Sequence, residues 1–105
     1  MKNSVFIEKV AINDKGIISV KPHDYCFEMI YRCAKGVYWD NSEKHLYFVS
    51  PVKQENEILN AYKQILFSVN DEYGILLRVN EKTIYEGVPE RIKKDIAEFN
   101  DINMF

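Results

Sequence analysis

The sequence predicts an α+β domain: a mostly antiparallel sheet packed by one long and two shorter helices, in the order ββαββαβ(β)α. Two pairs of β-type segments are separated by loops too short for a parallel connection. The segment after residue 50 repeats its apolar residues at helical spacing. The composition, 47% hydrophobic and 29% charged, is typical of a globular chain. A length of 105 residues predicts a single domain, residues 1–105.

The first hairpin is predicted over residues 5–21. Residues 5–12, VFIEKVAI, are rich in β-branched and aromatic residues and predict a strand. Residues 13–16, NDKG, carry turn chemistry, since Asn and Asp bond their own backbone and Gly adopts positive φ. Residues 17–21 form the returning strand, which Pro22 ends because it has no N–H for the ladder.

Residues 25–49 are the aromatic-rich part of the chain, with seven of its fourteen aromatic residues, its Trp and both Cys. Residues 25–35 predict a short helix that ends at Gly36. An extended segment is the alternative, because Phe27, Met29 and Tyr31 also alternate. The apolar residues at helical spacing are Phe27, Ile30, Tyr31 and Ala34.

A second hairpin follows, with strands at residues 37–40 and 46–49 around a polar loop. Asn41 and Ser42 supply the turn chemistry of that loop. Neighbouring side chains of a strand point to opposite faces of the sheet, so the side chains of Tyr38 and Trp39 are predicted to lie on opposite faces.

The long helix is predicted to begin with Ser50 as N-cap and Pro51 in its first position, and to end at Gly74. Phe67 lies outside its apolar face, which predicts a contact either with a partner or with a neighbouring element. That apolar face consists of Ile58, Leu59, Tyr62, Ile65, Leu66, Val69 and Tyr73.

The remaining residues predict one apolar strand, at 75–80, and a short edge strand at 82–86. A last helix has Pro89 in its first turn. We expect residues 100–105 to form a frayed tail. The buried stripe of the last helix is Ile92, Ile96 and Phe99.

Charge and hydropathy exclude several classes of protein. The net charge is −2 and the pI is about 5.7, without the basic excess of a nucleic-acid-binding protein. No apolar run is long enough to span a membrane, and the N-terminus shows no signal peptide. We therefore expect a cytoplasmic protein with reduced thiols and no nucleic-acid or membrane partner.

No constellation of residues predicts catalysis, a metal or a cofactor. Cys26 and Cys33 are too far apart for a close metal-binding pair, and His23 alone does not complete a four-ligand set. No known thiol-enzyme signature surrounds either Cys. His45 is interpreted as a solvated histidine of the second hairpin loop. The four glycines are isolated, so they form no phosphate-binding loop.

Five residues are candidates for a ligand site or an interface. The many aromatic rings of residues 25–49 either fill a core or include some rings that are exposed as a surface patch. An arginine beside aromatics can bind a carboxylate or phosphate, although it can also pair with Glu28 on a helix surface. The candidates are Tyr31, Arg32, Tyr38, Trp39 and Tyr47.

Four segments resemble a group of small bacterial proteins, some of them encoded by mobile integron gene cassettes. The segments are KGIISVKP (15–22), MIYRCAKGVYWD (29–40), DEYG (71–74) and VPERIKKDI (88–96). The resemblance spans about residues 7–97 and implies a compact α+β domain that forms homo-oligomers. It implies no established activity and carries over no functional residue.

Two functions agree with these observations. The first is a non-enzymatic binding protein that self-associates or binds another protein, because interface cores favour Tyr, Trp, Phe and Arg. The alternative is a small-molecule-binding protein or enzyme with an aromatic pocket near Trp39, between the sheet and the long helix.

Overall fold

The computed structural model describes residues 3–102, and it is an α+β fold with a six-stranded, mostly antiparallel sheet. The predicted order of elements is correct in part, and the short strand given in brackets is present. Both predicted hairpins form. The strands are β1 Asn3–Ile12, β2 Ile18–Pro22, β3 Val37–Asp40, β4 His45–Phe48, β5 Ile75–Arg78 and β6 Ile84–Glu86.

Strand β1 lies inside the sheet, whose order is β3-β4-β2-β1-β5, with β6 also paired to β1. On one side β1 pairs antiparallel with β2, and on the other side it pairs in parallel with β5 and then β6. The gap between β5 and β6 is closed by Thr83, whose hydroxyl donates to the Ile7 carbonyl at 2.7 Å and accepts from the Asn80 N–H at 2.9 Å. Strand β1 thus pairs with its neighbour in sequence, β2, and also with the distant strands β5 and β6.

Two α-helices pack on one face of this sheet: α1 Glu55–Tyr73 and α2 Glu90–Ile102. The predicted stripes of both helices are buried or packed against the core. Phe67 lies beside the stripe, as predicted, and its ring centroid is 5.8 Å from that of Phe99 on α2. The largest fully buried side chains include Tyr62, Phe27, Ile7, Ile18, Ile30, Leu46, Ile65, Leu77 and Ile96.

The predicted helix at residues 25–35 is wrong, since the segment contains only a four-residue 3₁₀ turn, Ile30–Cys33. Asp24 and Ala34 have φ of 51° and 54°, which an α-helix does not allow. The Met29 N–H donates to the Tyr73 hydroxyl at 2.9 Å rather than to a helical carbonyl. Ring packing around Phe27 therefore decides the conformation, because so short a helix has little stability of its own.

The predicted start of the long helix at Ser50 and Pro51 is also wrong. Helix α1 begins at Glu55, where the Glu57 carboxylate accepts the Gln54 N–H at 3.0 Å in a capping box. The preceding residues stay outside the helix, where the Val52 N–H donates to the Gly16 carbonyl at 2.8 Å. Gly16 is required there, since an added Cβ would lie 2.7 Å from the Val52 oxygen and φ is +81°.

The C-terminal tail differs from the expectation at its first residues. Helix α2 continues to Ile102, and Asn100 is 5% exposed, so Asn100 is not part of a frayed tail. Residues 103–105 of the predicted tail lie outside the described residues. Among residues 3–102, no helix is both long enough and apolar enough to cross a membrane.

Candidate functional site on the open sheet face

The helices leave the second face of the sheet uncovered, and we call this surface the open face. It carries the residues that alternate along the strands with the buried ones. Cross-strand pairing arranges them in two rows. One row is Tyr38, Tyr47, Ser19, Ala11 and Glu86, and the other is Asp40, His45, Lys21, Lys9 and Ile84.

A trough of about 520 Å³ lies on the open face. It follows from side-chain size, because Ser19 and Ala11 stand on the two middle strands with Tyr47 on one side and Glu86 on the other. Four residues of the second row border the trough, and its fifth residue, Ile84, does not. The polar side chains of that border are Lys9, Lys21, Asp40 and His45.

Two of the carboxylates at the trough are already engaged by the protein. Glu86 pairs with Lys9 at 3.0 Å between Nζ and Oε1. Asp40 Oδ1 accepts the backbone N–H groups of Ser42 and Glu43 at 3.0 and 3.1 Å, which fixes the β3–β4 turn. The hydrogen bonds from Glu43 and Ser42 lower the pKa of Asp40, so its carboxylate is charged at neutral pH and stabilises the turn.

His45 is the titratable group of the trough that the sequence interpretation misplaced. It lies half-buried in strand β4 rather than solvated in the loop. Burial lowers its pKa, and Lys21 and Lys9 act in the same direction, whereas Asp40 and Glu43 oppose the shift. At neutral pH the ring is uncharged and can donate or accept one hydrogen bond.

Tyr38 and Trp39 lie on opposite faces of strand β3. Tyr38 is 40% exposed on the open face, where its ring centroid is 5.9 Å from that of its cross-strand partner Tyr47. Trp39 packs against the core, with its ring edge-on to Phe27 at 6.0 Å. Its indole N–H donates to Asn41 Oδ1 at 3.4 Å. The structure therefore brings together only Tyr38 and Tyr47 of the predicted set on the open face.

Tyr31 and Arg32 lie elsewhere, in the 3₁₀ turn beside the C-terminal end of α1. The Tyr31 side chain is 53% exposed, and its hydroxyl contacts Met29 Sδ at 3.9 Å. Arg32 does not pair with Glu28, because the predicted helix is absent; its Nε lies 3.6 Å from Glu72 Oε2. The predicted set is thus divided: two residues lie on the open face, two lie in the 3₁₀ turn, and Trp39 packs against the core.

The sequence interpretation missed a second depression on the open face, of about 550 Å³. Phe6 and Ile84 border it and are 52% and 58% exposed. They are far apart in the chain and line one depression because β1 pairs in parallel with both β5 and β6. Only the alternation of apolar and charged residues in β1 hinted that Phe6 would point outward.

The thiols and imidazoles form no metal centre in the described residues, where no group of three His, Cys, Asp or Glu could hold an ion. Cys26 is exposed, and Cys33 is half-buried with Sγ 3.3 Å from the Ser68 carbonyl. Burial raises the pKa of Cys33, and the nearby Glu72 adds to this shift. A raised pKa makes the thiol less reactive at neutral pH.

A family model and one solved structure are similar to this chain. No protein with a curated description matches this chain. A solved structure of Integron Cassette Protein Hfx_Cass5, from the mobile metagenome of North West Arm Sewage Outfall, is 28% identical. That comparison covers 96% of this chain and 98% of the other, with a TM-score of 0.43. The family described as Integron Cassette Protein Hfx_Cass5 matches residues 6–90. The resemblance to integron cassette proteins is confirmed, and the chain belongs to the Hfx_Cass5 family.

Proposed function

We propose that this protein is a non-enzymatic, cytosolic binding protein that self-associates through the open face. The observation that carries the proposal is the pair Phe6 and Ile84, two large apolar side chains more than half exposed at one depression. Exposed apolar side chains that cluster on one surface are typical of protein–protein contacts. A second copy of the chain would remove both side chains from water.

The shape of this surface suits a two-fold contact. Ile84, Phe6 and Ile7 line one depression, and Ile84 is 58% exposed. A two-fold axis would place the exposed Ile84 side chain of each copy against the depression of the other, so that one patch would serve both subunits.

The charges around the depression support the same partner. Its lining includes Glu8, Glu81 and Lys82, together with His23. His23 Nδ1 lies 2.8 Å from Glu8 Oε2, so this pair is largely satisfied within one chain. Glu81 and Lys82 leave both signs of charge at the rim, where a rotated copy can match them.

The aromatic pocket near Trp39 has less support. The three principal cavities of residues 3–102 are not lined by Trp39, Tyr31, Arg32 or Tyr38. The Trp39 ring instead packs against Phe27, and the depression of about 310 Å³ between β4 and α1 is lined by Phe48 and Ala61 rather than by Trp39.

Sedimentation equilibrium over a range of protein concentrations tests self-association. We expect the wild-type chain to form a dimer. Ile84→Lys should raise the dissociation constant of this dimer at least about tenfold, because a charge replaces an apolar side chain that the dimer buries. Tyr31→Lys is the matched control, since Tyr31 is exposed to a similar degree but lies outside the open face.

Three results would contradict the proposal. If the wild-type chain stays monomeric at every concentration, self-association is ruled out. Equal weakening by Ile84→Lys and Tyr31→Lys, or weakening by Tyr31→Lys alone, removes the open face as the interface.

A further inference from the structure

We propose that the trough over Ser19 and Ala11 binds a small aromatic monocarboxylate. Such a ligand would place its ring against Tyr47 and its carboxylate on Lys21 and His45. This site is separate from the Phe6–Ile84 depression and does not depend on self-association.

The first support is the set of polar groups that the protein leaves without partners at the trough. Among residues 3–102, the side chains of Lys21, His45, Tyr47 and Ser19 form no hydrogen bond or ion pair with the protein. All four are half-buried. Half-buried donors that converge on one cavity are typical of a ligand site.

The difference between Lys9 and Lys21 identifies which cation would hold the ligand. The two residues are cross-strand partners on the open face. Lys9 already pairs with Glu86 at 3.0 Å, whereas Lys21 has no carboxylate within ion-pair distance in the described part of the chain. A carboxylate ligand would give Lys21 the charge-assisted hydrogen bond that Lys9 obtains from its own chain.

The neighbouring acids limit the charge that the ligand can carry. Asp40, Glu43 and Glu86 also line the trough. A multiply charged anion such as a polyphosphate would be repelled by these carboxylates, whereas a single carboxylate needs only the charge of Lys21 and one hydrogen bond from the uncharged His45 ring. The trough therefore favours a single negative charge.

The aromatic part of the ligand is indicated by the open-face tyrosines. Tyr47 forms one side of the trough, and Tyr38 supports its ring at 5.9 Å between centroids. A planar ring can stack on Tyr47 above the small floor residues. A volume of about 520 Å³ is ample for one substituted benzene ring and suits small ligands in general.

Titration of the isotopically labelled full-length chain with benzoate, followed by amide chemical shifts, tests the site. We expect saturable shifts centred on Ser19, Lys21 and Tyr47. Lys21→Gln should weaken binding about tenfold, because the charge-assisted bond is lost. Ser19→Leu should abolish binding by filling the floor of the trough.

Matched controls separate the specific site from weak surface binding. Lys94→Gln removes an exposed cation on α2 and should leave benzoate affinity unchanged. Benzyl alcohol and inorganic phosphate, which lack the carboxylate and the ring respectively, should produce no saturable shift at the trough.

The proposal is overturned by an absence of saturable benzoate shifts up to the solubility limit. It is also overturned by equal weakening in Lys21→Gln and Lys94→Gln, or by tight phosphate binding at the same residues. The chemical shifts of each variant show that it is folded, so every outcome bears on the site.

Discussion

The two faces of the sheet are built by the same strands but have different roles. On the helix-covered face, Val10, Val20 and Leu46 are fully buried in one row that crosses three strands. One residue away on two of these strands, Ser19 and Tyr47 are half-buried beside the open trough. The covered face buries the apolar residues that stabilise the fold, while the open face leaves polar and aromatic side chains partly exposed in the single chain.

Tyr38 and Trp39 show how strongly the face decides the role of an aromatic residue. They are consecutive in β3, yet Trp39 packs on Phe27 and Tyr38 is exposed to solvent. Aromatic density in the sequence therefore identifies a region but does not distinguish core from surface. Once the burial of one residue in a strand is known, the alternation of side chains along that strand shows which of the other residues face the core.

The sharpest test of this comparison is a pair of aromatic truncations, one from each face. Phe27→Ala should lower the free energy of unfolding by about 3–5 kcal/mol, because it removes a ring that is 0% exposed. Tyr38→Ala should cost less than about 1 kcal/mol, since only a cross-strand contact is lost. Urea unfolding of both variants measures the difference, and similar losses would mean that the open face is also part of the core.

A buried hydrogen-bond pair on the covered side gives the next largest effect. Asn100 accepts the Tyr62 hydroxyl at 2.6 Å and donates to the Leu77 carbonyl at 3.0 Å. Asn100→Ala should cost about 2 kcal/mol, because it leaves buried polar groups unpaired. Adding Tyr62→Phe should return part of that loss. If Asn100→Ala left the free energy of unfolding unchanged, the end of α2 would not contribute to the core.

The smallest expected effect on the free energy of unfolding comes from His45 on the open face, and it depends on pH. Burial and the two lysines lower the pKa of His45, so the unfolded chain binds this proton more readily than the folded one. The free energy of unfolding should therefore fall as the pH drops below about 6.5, the ordinary histidine value. His45→Asn should reduce the slope of stability against pH between neutral and mildly acidic pH. An unchanged slope would contradict the environment described for this ring.

The elements that the sequence predicted correctly are those determined by local pattern. The apolar stripe of α1 and the two hairpins follow from spacing and turn residues within a few positions of each other. Gly74 ends α1 with φ of 66°, as expected from its place after the stripe. Local physical chemistry was sufficient for these parts of the fold.

The elements that the sequence did not predict are determined by distant partners. Residues 25–35 depend on Tyr73 and Trp39, and the start of α1 depends on the contact of Val52 with Gly16. The trough was missed for the same reason. Lys21 and His45 become neighbours only when β2 pairs with β4, and no spacing in one chain segment encodes that register.

The position of β1 has a consequence for how the chain acquires its structure. Its antiparallel partner β2 follows directly, but its parallel partners β5 and β6 lie after helix α1. During synthesis on the ribosome, β1 therefore keeps one unpaired edge until the C-terminal third emerges. Closing so long a loop is slow compared with forming a hairpin. The N-terminal strand is thus the segment most dependent on completion of the chain, and premature termination after α1 leaves a β edge ready to pair with another molecule.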